Sequence, residues 1–291
     1  MRVLIASDLS ESSDEAVRQG ALRAEGGHIA LCHVMPELGT HAFLAQEYEI
    51  DLNRQLELQP RIVEALQAQL ARLAPQAPTP EVFIELGSDY EQLVARAEAW
   101  QAELIAVGTH GRKGLRRLLL GSVADQVVRA AHCPVLVARA PREGAILAAT
   151  DLSDPALPAL ELAASEAKRS GRKLVVMHAM ETPRDGDAAM GLLGALPALD
   201  TPETRAARSR LAAEIIGTAV ARLGVSAEVV IATEDPLKET LQLADSLPTG
   251  LIVVGSHGRN GLSRVVLGST AARIIEHAPC SVLVARQAPS A

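Results

Sequence analysis

Ile105 to Arg139 reads IAVGTHGRKGLRRLLLGSVADQVVRAAHCPVLVAR, and Ile252 to Arg286 reads IVVGSHGRNGLSRVVLGSTAARIIEHAPCSVLVAR. At a constant offset of 147 the two blocks align without a gap, and 20 of 35 positions are identical. Each holds a glycine frame of the form G-x2-G-x9-G-S. In the first it is Gly108, Gly111, Gly121 and Ser122; in the second it is Gly255, Gly258, Gly268 and Ser269. Self-similarity at a long period decides architecture before any local reading does. One domain has been duplicated, and each copy carries the same candidate for close backbone approach.

The repeat reaches beyond these blocks. VLIASDLS at Val3–Ser10 answers to ILAATDLS at Ile146–Ser153, and LCHVMPE at Leu31–Glu37 answers to VMHAMET at Val176–Thr182. Ala140-Pro141-Arg142-Glu143-Gly144 fits neither period, and its Pro and Gly mark a break. Domains are therefore expected over 1–140 and 144–291. Each is close to the ~150 residues of an ordinary domain. A domain of that size buries about 68–70% of its unfolded surface, enough for an unstapled core.

Composition excludes several classes. Hydrophobic residues make up 48% of the chain, which is globular and not disordered. The net charge of −7 lacks the basic footprint of a nucleic-acid binder. Two Phe, two Tyr and one Trp supply little base-stacking surface. No run approaches the ~18 apolar residues of a membrane span, and MRVLIASD is too short an apolar stretch for a signal peptide. Cys32, Cys133 and Cys280 form no CxxC or metal spacing, so reduced, buried thiols in a cytoplasmic protein are expected.

Strands and helices alternate in each copy. Short Val/Ile/Leu runs predict strands near 2–7, 28–34, 81–86, 103–107 and 134–138, then near 145–150, 173–179, 226–231, 250–254 and 281–285. Amphipathic spacing predicts helices near 13–25, 56–73, 89–100 and 121–131, then near 155–170, 203–223, 237–246 and 269–277. Ser12 with Glu15 suggests a capping box for the first helix, and Pro155 an N1 position for the fifth. Continuous apolar strands joined by helices give a doubly wound parallel α/β sheet. His33 and His178 end apolar strands and read as rim residues of that sheet.

Ligands of such sheets gather at the carboxyl ends of the strands, where strand order reverses. Gly108 is the first residue off its strand, and Gly108 and Gly111 either permit positive φ and close approach to a ligand or end the strand for purely steric reasons. Gly121-Ser122 opens a helix whose free N–H groups suit phosphate oxygens. Asp8 and Asp151 follow the first strand of each copy, where a carboxylate can accept from ribose hydroxyls or an adenine amine. Arg112, Lys113, Arg116 and Arg117, against Arg259 and Arg264, either put cations near a polyphosphate or form a solvated face. His110 and His257 stand inside the glycine turns as hydrogen-bond donors rather than catalytic bases, since no nucleophile or paired acid sits at a recognisable spacing. No G-x4-G-K-[ST] is present.

These residues carry a resemblance. VLIASDLS and ILAATDLS, LCHV and VMHA, and the two glycine frames followed by CPVLVAR and CSVLVAR are similar to the universal stress protein family, and nearly the whole chain resembles its tandem bacterial members. The resemblance implies two domains of the adenine-nucleotide alpha-hydrolase-like type, each with a five-stranded parallel sheet and helices on both faces, paired about a pseudo-twofold axis. It implies ATP, with or without magnesium, along the carboxyl edge. Carried over by position, the first site is Ala6, Ser7, Asp8 and Val34 at the adenosine end, then Val107, Gly108, His110, Gly111, Gly121, Ser122 and Val123 at the phosphate end. The second is Ala149, Thr150, Asp151 and Ala179, then Val254, Gly255, His257, Gly258, Gly268, Ser269 and Thr270.

The copies differ at two places. Gly87-Ser88-Asp89 before the third helix is replaced by Glu234-Asp235-Pro236, which weakens the second site if its charge faces the phosphates and changes nothing if it faces outward. Residues 183–202 include the apolar stretch MGLLGALPAL, read first as a mobile loop that packs on its own domain and, in a sharper reading, as a lid or docking surface. The expected protein binds ATP in stress response or signalling and acts through conformation. A slow ATPase or nucleotide-dependent transferase, and a scaffold that binds a partner through 183–202, remain the alternatives. The matched apolar segments Val135–Ala138 and Val282–Ala285 are expected to cover each other's edges within one chain, as an intramolecular pseudo-dimer that leaves a further homodimer open.

Overall fold

A computed structural model describes residues 1–36, 45–109, 120–152, 157–180, 201–256 and 267–286, with the backbone alone over 45–55. In chain order the elements of the first repeat are β1 (Arg2–Ala6), α1 (Glu11–Ala24), β2 (His28–Met35), α2 (Ala45–Leu73), β3 (Glu81–Leu86), α3 (Asp89–Ala99), β4 (Leu104–Gly108), α4 (Ser122–Ala130) and β5 (Val135–Ala138). Those of the second are β6 (Ala145–Thr150), α5 (Leu157–Ser170), β7 (Leu174–Ala179), α6 (Pro202–Arg222), β8 (Ala227–Ala232), α7 (Pro236–Ser246), β9 (Thr249–Gly255), α8 (Ser269–His277) and β10 (Ser281–Ala285). The fold is α/β, with a mixed but mainly parallel arrangement of strands.

The chain divides into two compact units, Met1–Pro141 with Ser281–Ala291, and Arg142–Cys280. In the first, parallel strands run in the order β3-β2-β1-β4-β5. Leu4, Ile5, Ile29, Leu31, Ile105 and Leu136 are fully buried along them, the signature of a sheet covered on both faces. Helix α1 lies close over β1 and β4 because Gly20 has no side chain; a Cβ there would sit 2.9 Å from Ile5. In the second unit β9-β6-β7-β8 repeats the same parallel order.

Helix starts follow local hydrogen bonding. The cap of α1 is Ser10, whose hydroxyl accepts from the Ser13 N–H, and not Ser12. Glu15, the other half of the expected box, pairs instead with Arg18. Helix α2 starts 11 residues before the expected boundary and passes through Pro60. Its first part, AQEYEIDLNRQ, is rich in helix-forming residues but has no continuous apolar stripe to announce it. Thr201 and Thr204 form a reciprocal capping box on α6, and Pro155 lies outside the described residues.

The strand that ends the second repeat is carried by the first unit. β10 pairs antiparallel with β5, with Val282 opposite Val137, Leu283 opposite Leu136 and Val284 opposite Val135. The equivalent leucines face each other, so the register is symmetric in repeat position. This pairing satisfies the β5 edge that an apolar strand would otherwise expose. The Ser281 hydroxyl accepts from the Arg139 N–H at 3.0 Å and donates to Gln19 at 2.9 Å.

One residue past β10, the buried Arg286 guanidinium donates to the carbonyls of Val128 and Arg129, the latter at 2.8 Å. These carbonyls belong to the last turn of α4, where orphan acceptors and the negative dipole end favour a cation. Burial lowers the guanidinium's affinity for its proton below the ordinary arginine value. Replacing Arg286 by Ala leaves both carbonyls without this donor and is expected to cost about 1.5–3 kcal/mol of stability. A urea midpoint that does not move in Arg286→Ala would contradict that role.

Candidate functional site

Strand order reverses between β1 and β4, and their carboxyl ends part there. A cavity of about 510 Å³ opens at this point, within the range of about 300–1,000 Å³ usual for ligand pockets. Three strand ends, the first turns of α3 and α4, and Ser13 of α1 line it. The structure brings together Ala6, Ser7, Asp8, Val34, Val107, Gly108, Gly121, Ser122 and Val123 on its walls. His110 and Gly111 lie outside the described residues, as do Arg112, Lys113, Arg116 and Arg117.

The wall made by the end of β1 is held by side chains. The buried Ser7 hydroxyl donates to Gln69 Oε1 at 2.7 Å and accepts from the Leu9 N–H at 3.1 Å. Gln69, itself buried on α2, donates to Asp14 Oδ1 at 2.7 Å, and Arg72 reaches the same carboxylate. Asp8 Oδ1 accepts from the N–H and the hydroxyl of Ser10, at 3.0 and 2.5 Å. Between these anchors Leu9 adopts a φ of 62°. A leucine in left-handed backbone costs roughly 1–2 kcal/mol, so the turn is over-determined by its surroundings, as turns beside binding sites often are.

The opposite wall starts from β4. A Cβ on Gly108 would lie 2.5 Å from the Ser12 carbonyl oxygen, so this glycine lets β4 end against the start of α1. Its φ is not positive; the demand is for space against protein backbone, not for left-handed backbone beside a ligand. The N–H of Gly121 donates to the Thr109 carbonyl at 2.5 Å, closing the base of the segment that separates them. Gly121 is the N-cap of α4 at φ −68° and ψ 150°, backbone that any residue adopts. No side chain caps the helix, and Gly121, Ser122, Val123 and Ala124 all line the cavity. Orphan N–H groups and a positive dipole end therefore border this wall.

The second unit repeats the framework. Ala149, Thr150 and Asp151 stand at the end of β6, Ala179 at the end of β7, and Val254 and Gly255 at the end of β9. The Leu152 N–H donates to the Thr150 hydroxyl at 3.1 Å, with Leu152 at a φ of 60°. Gly268 donates to the Ser256 carbonyl at 2.8 Å and caps α8, whose first residues are Ser269 and Thr270. His257, Gly258, Arg259 and Arg264 lie outside the described residues, and so does MGLLGALPAL of the 183–202 segment.

The acidic substitution before α7 faces outward. Glu234 is exposed and pairs with Lys238, while Asp235 caps the helix by accepting from the Lys238 N–H at 3.0 Å. In the first unit it is Asp89, at the equivalent helix start, that lines the cavity.

Two histidines read from sequence as rim residues are buried instead. His33 Nδ1 is 2.7 Å from the Ser7 carbonyl oxygen, and His178 Nδ1 is 2.8 Å from that of Thr150. His33 lines the cavity, with Ser13, Asp89 and Leu93, none of which the glycine frame pointed to. The signal available was a polar residue recurring at one position of two apolar strands. Burial pushes the thiols of Cys32 and Cys133 up to about 12, so both stay protonated and unreactive near neutral pH. Among the described residues no cluster of three His, Cys, Asp or Glu has metal-binding form, and no helix is long and apolar enough to cross a membrane.

Fold and cavity define a doubly wound α/β protein with a crevice at its switch point. The model of the universal stress protein family matches residues 1–139 and again 144–286, and the chain belongs to that family as a tandem protein with two repeats. It is 33% identical to universal stress protein Rv2005c of Mycobacterium tuberculosis over 195 residues, which cover 64% of this chain. The match spans 63% of the length of that relative. Universal stress protein Rv2623 of the same organism is 28% identical over 302 residues, covering 98% of this chain and 96% of the relative. The crystal structure of a universal stress protein from Archaeoglobus fulgidus superposes with a TM-score of 0.65 at 22% identity, with 98% of each chain covered. That likeness is one of fold.

The two glycines on the α4 side separate by substitution. Gly108→Ala forces a methyl into backbone and is expected to lose ~1–3 kcal/mol of stability. Gly121→Ala, in ordinary extended backbone, is expected to stay within ~0.5 kcal/mol of the wild type. Denaturant unfolding of both proteins checks the order; equal midpoints would contradict it.

Proposed function

We propose that the protein binds ATP in the cavity of the first unit and passes the occupancy on as a change of conformation in a cytoplasmic stress or signalling response. Adenine-nucleotide binding is typical of the universal stress protein family, to which the chain belongs. The observation that carries the reading is the uncapped first turn of α4 bordering a nucleotide-sized cavity at the switch point. Phosphate oxygens accept from such N–H groups and are favoured by the dipole there. Ala6, Ser7, Asp8 and Val34 take the adenosine end in this reading. Val107, Gly108, His110, Gly111, Gly121, Ser122 and Val123 take the phosphates.

The second repeat has the same strand ends and the same uncapped start of α8, which supports a second site. It comprises Ala149, Thr150, Asp151, Ala179, Val254, Gly255, His257, Gly258, Gly268, Ser269 and Thr270. Residues 1–140 and 144–291 are the two proposed domains. The outward Glu234 and capping Asp235 remove one reason for ranking the second site below the first.

Gly121→Val tests the site. The fold tolerates the backbone geometry, whereas the added side chain occupies the cavity wall that receives phosphate. Calorimetric titration with ATP, with and without magnesium, is expected to lose one binding event while thermal unfolding is little changed. Unaltered affinity and stoichiometry would sink the assignment.

Turnover is expected to be slight. Phosphoryl transfer depends on positioned charge and a positioned nucleophile, and the sequence sets no nucleophile and paired acid or base at a recognisable spacing. A phosphate-release assay that returned the ~1–100 s⁻¹ typical of kinases, lost in His110→Ala, would make the protein an enzyme instead.

A further inference from the structure

We propose that His33 is a specificity residue of the cavity, and that its Nε2 accepts a hydrogen bond from an amine or hydroxyl donor on the nucleoside part of the ligand. The proposal rests on the nucleotide reading above and goes beyond it by assigning a residue and a bond.

The argument starts from the tautomer. His33 Nδ1 lies 2.7 Å from the Ser7 carbonyl oxygen, and a carbonyl oxygen only accepts, so the proton is on Nδ1. The neutral ring then has a bare lone pair on Nε2. The His33 residue is 8% exposed, and it lines the cavity. Nε2 has no hydrogen-bond partner among the described residues. The ring therefore stands on the cavity wall with that nitrogen unbonded by the described protein. A polar atom in so buried a ring costs free energy until something donates to it.

Topology says which part of a nucleotide is near. β2 lies on the side of β1 away from β4, and α4 follows β4. His33 thus stands at the end of the cavity opposite the first turn of α4, where the nucleoside falls if the phosphates meet the helix. The first bond also fixes the turn, because the Ser7 carbonyl that it holds immediately precedes Asp8 and Leu9. The arrangement recurs in the second unit, where His178 Nδ1 is 2.8 Å from the Thr150 carbonyl oxygen and the residue is 5% exposed. A site built to receive a donor rejects analogues that lack it.

Two substitutions separate the two nitrogens. In His33→Asn the side-chain amide reaches the Ser7 carbonyl in place of Nδ1–H, but nothing replaces Nε2. In His33→Ala both bonds are lost. The full-length chain is titrated with ATP, its 2′-deoxy and 3′-deoxy forms, and inosine triphosphate, with thermal unfolding recorded in parallel. His33→Asn is expected to unfold like the wild type and to bind ATP at the first site about tenfold more weakly. One of the three analogues is expected to show a similar loss in the wild type and no further loss in His33→Asn, which names the donor. Imidazole nitrogen NMR of the wild type is expected to show the Nε2 resonance of His33 shifted on addition of ATP. Affinity unchanged in His33→Asn, or analogues that fall equally in both proteins, overturns the proposal while leaving the nucleotide reading intact. A wild type that binds none of the four nucleotides overturns that reading and the acceptor role with it.

Discussion

Between β1 and β4 the chain reverses the direction in which it adds strands to the sheet. That reversal leaves a crevice between the carboxyl ends of two parallel strands. Each feature of the site follows from keeping that crevice open and ordered. Gly20 brings α1 down against β1 and β4, Gly108 lets β4 end against the Ser12 carbonyl, and the bond from Gly121 to Thr109 delivers α4 to the opening. The polar chain from Ser7 through Gln69 and Asp14 to Arg72 ties the β1 wall to α2. A turn with left-handed Leu9 survives there because its amide and the side chains on either side are all bonded.

Helix α4 links two parts of the first unit. Its uncapped amino end borders the cavity, and its carboxyl end receives the buried guanidinium of Arg286, which follows the last strand of the second repeat. The cation and the cavity occupy opposite poles of one dipole. Duplication made this possible: β10 repeats the apolar length of β5, and the two pair in a register that is symmetric in repeat position. In this way the edge of a repeat is closed by its own copy.

Much of this was legible in the sequence, for physical reasons that differ by element. Fully buried parallel strands have to be continuous apolar runs, so the strands and their alternation with helices could be read directly, and equal final runs announced the pairing of β5 with β10. The glycine frame located the crevice, and at Gly108 the steric reading of the glycine is the one the structure supports: it is required by Ser12, a contact between residues far apart in the chain. The first 11 residues of α2 lack an apolar stripe, and the cap of α1 depends on which of several serines accepts from Ser13. Whether Glu234 faced a ligand or solvent turned on Lys238, one helical turn away. His33 escaped because a histidine at the end of an apolar strand looks alike at a rim and in a cavity wall; only the carbonyl of Ser7 tells them apart.

The central claim is that phosphate meets the first turn of α4 while the nucleoside lies against the ends of β1 and β2. Hydrogen exchange of backbone amides, followed by mass spectrometry with and without saturating ATP, tests it most directly. The account predicts slowed exchange in peptides covering 120–125 and 6–10, with β3 and α6 unaffected. Exchange that is unchanged at the start of α4, or protection confined to segments away from the strand ends, would contradict it.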